Sequence, residues 1–158
     1  MSMWESLFAG ANLLALVMWA GLIILPRWPA LLSAALYLGV GVLCLTYAIA
    51  LAGLLGGLIP TPVDSGTGLD FGSIEGIRSI FATDAGVTIG WIHYLAFDLF
   101  VGIWIARDAD AKDFGRWVQA PLLLATFLAG PFGLLIWLIV REKRARVGGV
   151  RSKIRISR

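Results

Sequence analysis

One apolar stretch carries the residues best suited to acid–base chemistry. The segment GWIHYLAFDLFVGIW runs from Gly90 to Trp104 and holds the only histidine of the chain, His93, together with Asp98. Ionisable groups inside a membrane are costly, so they usually line a cavity or a pathway. On a helix the two residues would be separated by about 7.5 Å along the axis. The stretch therefore predicts chemistry or recognition within the membrane.

Helical geometry places the two ionisable residues on different faces. Trp91, Tyr94 and Asp98 share one face, whereas His93 and Phe97 belong to another. His93 and Asp98 point about 140° apart, so they converge on one ligand only if neighbouring helices or the ligand surround the helix. Tyr94 and Asp98 are one turn apart, which allows a phenol–carboxyl hydrogen bond. A second interpretation stays open, because polar residues also hold membrane helices together at about 1 kcal/mol each.

The composition is that of a polytopic membrane protein. Of the 158 residues, 59% are hydrophobic and only 15% are charged, which is outside the range of soluble domains. The lone cysteine, Cys44, excludes an intrachain disulfide. The chain lacks a phosphate loop, a dinucleotide fingerprint and a nucleophile elbow. We therefore expect no cofactor, no metal and no nucleic-acid partner.

Four apolar stretches are long enough to span a bilayer, which requires about 20 residues. They run from Glu5 to Leu25, Ala30 to Leu55, Gly86 to Ala106 and Trp117 to Val140. We predict an all-α fold: a bundle of four transmembrane helices over residues 1–140, followed by a basic tail over 141–158. The first stretch lacks a positively charged start and a persuasive cleavage site, so we expect it to be a retained helix.

The basic residues predict the orientation. Eight of the thirteen lie at the C-terminus: Arg141, Lys143, Arg144, Arg146, Arg151, Lys153, Arg155 and Arg158. Since Lys and Arg near helix ends favour the cytoplasm, the C-terminus is expected there, in a cell membrane. Four spans then place the N-terminus and the 60–85 connection on the cytoplasmic side as well. The tail also suggests contact with anionic lipid headgroups.

The connection between the second and third spans contains an amphipathic pattern. Ile74, Ile77, Ile80 and Phe81 recur at helical spacing, which predicts a short helix in the membrane interface. Asp84 is the predicted N-cap of the third span. The acidic residues of this connection are either solvated loop residues or part of a lid over a cavity entrance.

The predicted fourth span contains a helix breaker at its centre. Pro131 lies between Gly130 and Gly133, and its missing N–H leaves a backbone carbonyl unpaired. The resulting kink either opens a pocket beside the third span, with Thr126 adding a hydroxyl, or serves packing alone.

These residues carry a family resemblance. GWIHYLAFDLFVGIWIARDA followed by PLLLATFLAGPFGLLIW closely resembles the hallmark of the abscisic-acid-deficient-four-like, or neoxanthin-synthase-like, membrane proteins. The resemblance extends through the lead-in from Gly76 to Gly86, whereas the first two spans match only in length and apolarity. The chain starts almost at its first span, without a plastid transit peptide, which favours a bacterial member.

The resemblance implies a role in carotenoid or isoprenoid metabolism, since plant members are linked to making neoxanthin from violaxanthin. In that redox-neutral isomerisation an epoxide opens while a neighbouring proton leaves, giving an allene and a tertiary alcohol. This reaction requires a general acid and a general base. We assign Asp98 as the acid, His93 as the base and Tyr94 as the positioning group. The expected substrate-binding residues are Trp91, Phe97, Thr126, Phe127 and Pro131.

Other functions compete with this isomerase. The main alternative is a non-catalytic protein that binds a carotenoid or lipid, or that supports a carotenoid enzyme complex. A proton-coupled transporter would need more than four short spans, unless the chain forms a homo-oligomer. A membrane di-iron hydroxylase needs many histidine ligands and is excluded by a single histidine. The expected partners are a hydrophobic small molecule, membrane lipids, and either carotenoid enzymes or further copies of the chain.

Overall fold

The described part of the chain is entirely helical. The structure, a computed structural model, describes residues 2–25, 28–59 and 70–142, which contain no β-strand. The helices are α1 (Met3–Ile24), α2 (Pro29–Leu55), α3 (Ile74–Phe81), α4 (Asp84–Ala111), α5 (Arg116–Leu128) and α6 (residues 130–142). The all-α prediction is therefore confirmed for these residues, while the basic tail beyond residue 142 lies outside them.

Side-chain caps fix where the helices begin. At the start of α1, the Ser2 hydroxyl accepts from the Glu5 N–H at 3.1 Å and the Glu5 carboxylate accepts from the Ser2 N–H at 2.6 Å. This reciprocal pair satisfies two donors that the first turn leaves free. Helix α4 is capped by Thr83, whose hydroxyl oxygen accepts from the Gly86 N–H at 3.0 Å. The prediction of Asp84 as the cap was wrong, because Asp84 already lies in the first turn.

Three described helices, α1, α2 and α4, are long and apolar enough to cross a membrane. Their 22, 27 and 28 residues correspond to about 33, 40 and 42 Å of helix, enough for a hydrocarbon core of about 30 Å. The first two match their predicted ranges within two residues, whereas α4 extends further at both ends than the predicted 86–106. The length of an apolar stretch predicts that a helix crosses the membrane, whereas capping residues and turns determine where that helix begins and ends.

Helix α4 is the centre of the bundle. Helix α1 runs parallel to it, because Phe8 lies against Trp91 near one end and the Ile24 carbonyl accepts from Arg116, just beyond the other end. Helix α2 runs antiparallel to α4, because Gly39 lies against Leu99 while Tyr47, further along α2, contacts His93, earlier in α4, with ring centroids 5.4 Å apart. The most buried part of α4 therefore faces two neighbours at once.

A glycine sets the approach of α1 to α4. A Cβ at Gly102 would overlap the buried indole of Trp19. Small residues at such crossings let membrane helices pack closely. We expect Gly102→Ala to destabilise the bundle by about 1–3 kcal/mol, since the indole has no free space to enter. Thermal unfolding in detergent measures this; a melting temperature equal to that of the unsubstituted chain would contradict the tight crossing.

Helix α2 contains a π-helical segment that the sequence patterns did not predict. It covers Ala35–Val40 and includes Gly39. A Cβ at Gly39 would lie 2.9 Å from a methyl carbon of Leu99 and 3.0 Å from Met18. The widened turn therefore lies where α2 meets both α1 and α4, and a glycine there admits side chains from each.

The predicted fourth span, 117–140, is not one helix. Helix α5 ends at Leu128, Ala129 adopts the non-helical angles φ −154° and ψ 78°, and α6 follows at once. The prediction of a fourth transmembrane helix with a kink at Pro131 was therefore wrong at this segment, which forms two separate helices. Pro131 sits in the first turn of α6, where a missing N–H costs nothing. The proline thus begins a new helix and does not merely kink an old one.

Helices α5 and α6 form a hairpin, because α6 folds back along α5. A Cβ at Gly133 would overlap the backbone and hydroxyl of Thr126, so the two arms touch beside the break. In the second half of α6, Trp137 reaches Phe114, with ring centroids 5.0 Å apart. Phe114 precedes α5, so the second half of α6 lies beside the start of α5. We call this end of the bundle the hairpin end.

Helix α3 lies at the other end, which we call the α3 end. The amphipathic pattern predicted this helix correctly, with Ser73 as its N-cap. The ring of Phe81 packs where a Cβ of Gly90 would otherwise be, which joins α3 to α4. Just before α3, hydrogen bonds from the Ser73 hydroxyl and the Gly72 N–H lower the pKa of Asp70. This carboxylate therefore stays charged and solvated at the start of the helix.

Candidate functional site

The central feature of the site is a carboxyl group held against the break of the hairpin. Asp98 lies near the middle of α4, half-buried. Its side chain occupies the space that a Cβ of Gly130 would need. The Tyr94 hydroxyl is within hydrogen-bonding reach of the same carboxyl, as their spacing predicts. Tyr94, Asp98 and Gly130 form what we call the acid site.

The break between α5 and α6 completes the acid site without exposing unpaired backbone donors. The Gly130 N–H is directed at the Tyr94 hydroxyl oxygen, and Pro131 has no N–H. The N–H groups of Phe132 and Gly133 both donate to the Ala129 carbonyl, at 2.9 and 3.0 Å. Since membrane interiors offer no water to such groups, internal pairing is what permits a break at this position.

One oxygen of Asp98 has no hydrogen-bond partner among the described residues. This atom, Oδ2, is buried. A buried polar atom without a partner costs about 1–3 kcal/mol. In the part of the chain that the structure describes, the only other such side-chain atom is Oε1 of Gln119. An unpartnered buried atom calls for an explanation, and a ligand is one. A ligand carrying an oxygen or a mobile proton would complete its hydrogen bonding.

Aromatic side chains continue from the acid site toward the α3 end. Trp91 stacks on Tyr94 with ring centroids 5.1 Å apart and on Phe8 at 5.9 Å. The Trp91 indole N–H donates to the Asn12 side-chain oxygen at 3.0 Å, which fixes the ring. Trp91 is 38% exposed. This aromatic row therefore presents a flat apolar surface that ends at a carboxyl group.

His93 does not share the acid site. It is exposed on another face of α4, between the rings of Tyr47 and Phe97, with centroids 5.4 and 4.6 Å away. The angular separation expected from helical geometry is thus retained, and no neighbouring element brings His93 round to Asp98. Within one chain the two side chains face different surroundings.

The other predicted substrate-binding residues divide between surface and packing. Phe97 is 57% exposed beside His93, and Pro131 is exposed at the tip of the hairpin. Thr126 is fully buried and donates to the Leu122 carbonyl at 2.8 Å. Phe127 packs on Trp19, with ring centroids 5.5 Å apart. Two of the five therefore adjoin the acid site: Trp91 stacks on Tyr94, and Pro131 directly follows Gly130.

Sequence patterns missed two residues that shape this region. The sequence indicates a kink at Gly130, whereas its missing side chain is what admits Asp98. Asn12 belongs to no sequence motif, yet its side chain orients Trp91. The G-P-x-G pattern could have indicated the first; nothing in the sequence indicated the second. Among the described residues, no three His, Cys, Asp or Glu side chains lie together as metal ligands.

Comparison with known protein families identifies the family of this chain. The ABA4-like family, described as ABA DEFICIENT 4-like, matches residues 6–137. The chain belongs to the ABA4-like family. No curated protein and no solved structure shows significant similarity to it. As an ABA4-like protein with three apolar helices, it is a membrane protein related to carotenoid and abscisic acid metabolism.

Proposed function

We propose that this ABA4-like protein isomerises an epoxide-bearing carotenoid or a related isoprenoid, with Asp98 as the acid. The main support for this proposal is the environment of the Asp98 carboxyl group. Tyr94 is within hydrogen-bonding reach of it, the Gly130 backbone packs against it, and its Oδ2 has no partner among the described residues. An acid oriented by its neighbours but left with a free oxygen is suited to proton transfer.

One carboxyl group can supply the proton that the reaction consumes and accept the proton that it releases. The protonated oxygen of Asp98 gives its proton to the epoxide oxygen, and the C–O bond to the polyene carbon breaks. The second carboxyl oxygen takes the proton from the neighbouring carbon, whose electrons form the allene. The epoxide becomes a tertiary alcohol and Asp98 ends protonated on its other oxygen. No electrons enter or leave, so no oxidant is required.

This scheme gives the earlier candidate residues different parts. Tyr94 holds the carboxyl in one orientation, and the Trp91 ring supports the polyene next to the reacting end group. The assignment of His93 as the base loses its geometric support, because the imidazole lies on another face of α4. The Asp98 carboxyl therefore replaces His93 as the base.

The test compares three substitutions in a host that supplies an epoxy-carotenoid. Asp98→Asn keeps the shape of the side chain but removes the acid, so we expect the rate of product formation to fall about 100-fold or more. His93→Gln should leave it unchanged. Asp113→Asn, an equal change of charge at an exposed turn, is the matched control. The readout is chromatography for a product of unchanged mass.

Two outcomes contradict the proposal. The first is unchanged turnover by Asp98→Asn, in protein that unfolds at the same temperature as the unsubstituted chain. The second is loss of turnover in His93→Gln alone, which would return the reaction to the histidine face of α4.

A binding function without catalysis is the second candidate, because the bundle surface contains an open apolar groove. The groove has a volume of about 630 Å³ and lies between the start of α1 and the end of α2, lined by Leu7, Thr46, Ile49 and Gly53 among others. A polyene chain fits such a groove without chemistry. Co-purification of unmodified pigment that is lost in Gly53→Phe and kept in Asp98→Asn would support binding over isomerisation.

A further inference from the structure

The two arms of the hairpin are too short to cross a membrane. Helices α5 and α6 have 13 residues each, or about 20 Å, against a hydrocarbon core of about 30 Å. Their shared tip lies at Asp98, midway along α4, since Gly130 touches that side chain. Their outer ends lie beside the end of α4, where Trp137 donates to Asp108 at 3.1 Å. The hairpin thus covers half the length of α4.

The hairpin nevertheless has the surface of a membrane-embedded element. Residues 117–140 contain no charged side chain. At the tip, Leu128 and Phe132 are 69% and 60% exposed. Large apolar side chains at an exposed tip need lipid around them. The only fully buried polar residue of α5 besides Thr126 is Gln119, whose amide N–H donates to the Ala106 carbonyl at 2.9 Å.

The cationic residues are concentrated at the hairpin end. Four of the described ones lie in or next to the helix ends there: Arg107, Lys112, Arg116 and Arg141. The seven remaining basic residues of the tail follow α6 directly along the chain. Among the described residues, the α3 end has only Arg78, which pairs with Glu75. By the positive-inside rule this asymmetry favours a cytoplasmic hairpin end.

We propose that α5 and α6 form a re-entrant hairpin, which enters the membrane from the cytoplasmic side, reaches the midplane at Asp98 and returns. The chain then crosses the membrane three times, through α1, α2 and α4. The N-terminus and α3 lie on the non-cytoplasmic side, opposite the tail. This arrangement also removes a difficulty of four crossings, which would place Arg107, Lys112 and Arg116 outside.

The test uses single cysteines in a Cys44→Ser chain and a maleimide that does not cross membranes. The labelled positions are Met3→Cys, Phe71→Cys and Ala111→Cys, which are exposed in the structure, and Ser152→Cys in the tail. Labelling is compared in intact spheroplasts and in permeabilised ones. Detergent-solubilised protein, in which all four must react, controls for folding and intrinsic reactivity.

Re-entry is decided by residues 111 and 152, which flank the hairpin. Three crossings require both to be protected in intact spheroplasts and both to react after permeabilisation, while residues 3 and 71 react in both. Four crossings require 111 and 152 to behave oppositely, which would overturn the proposal. Labelling of 111 and 152 with protection of 3 and 71 would overturn the assigned direction of entry. Neither readout depends on enzymatic activity.

Discussion

Replacing Asp108 with alanine is expected to release the hairpin from α4. The Asp108 carboxylate, at 14% side-chain exposure, accepts from the Arg141 guanidinium at 2.7 Å and pairs with Lys112. It also accepts from the indole of Trp137 at 3.1 Å. Removing it leaves two cations and a buried indole without their acceptor, which costs about 3 kcal/mol. A decrease of about 6–12 °C in melting temperature should follow.

The control for Asp108 is Asp113→Asn, which removes the same charge from the adjoining turn. Asp113 has a positive φ of 56°, a conformation that asparagine tolerates well. We expect a change within about 0.5 kcal/mol, as is usual for surface substitutions. Equal destabilisation by both variants would mean that general charge balance, and not the Asp108 cluster, holds α6 in place.

The second large effect is expected at Gly130. In Gly130→Ala the new methyl group overlaps the Asp98 carboxyl, so either the hairpin tip or the side chain must move. We expect a loss of about 1–3 kcal/mol in stability. The proposed isomerase activity should fall as well, because a displaced Asp98 would no longer meet Tyr94. Unfolding in detergent and pigment turnover are measured on the same preparation.

Gly10→Ala is the matched control for this glycine. Gly10 lies in α1 with nothing within 4 Å of its added Cβ, so the substitution gains helix propensity of about 1 kcal/mol. Opposite changes in stability at the two glycines are the expected pattern. If Gly130→Ala unfolds and turns over substrate like Gly10→Ala, then Asp98 does not depend on the hairpin break for its position.

Sequence patterns predicted what depends on local chemistry. The apolar lengths of α1 and α2 predicted their ends within two residues, and apolar residues at helical spacing located α3. The pairing of Tyr94 with Asp98 also followed from spacing alone, since residues one turn apart on a helix share a face. Such features need no knowledge of neighbouring elements.

The remaining features depend on contacts between distant segments. A proline between two glycines is compatible with a kink or with a complete reversal; the contact of Gly133 with Thr126 and the Asp108 cluster decide between them. In the same way, helical geometry separates His93 from Asp98, but only the packing of α2 against His93 shows that no neighbour reunites them. Tertiary packing carries this information.

Because the hairpin covers only half of α4, the acid site is open to lipid on one side only, toward the α3 end. Between Asp98 and the hairpin end, α5 and α6 separate α4 from lipid. Between Asp98 and the α3 end, the hairpin does not cover the rings of Phe8 and Trp91. In the proposed topology, with the hairpin inserted from the cytoplasm, the end group of the proposed isoprenoid substrate would reach the acid site by lateral diffusion in the outer leaflet. Substrate would then arrive and product would leave through one leaflet only. The rate at which these lipids flip between leaflets would therefore contribute to the overall reaction rate.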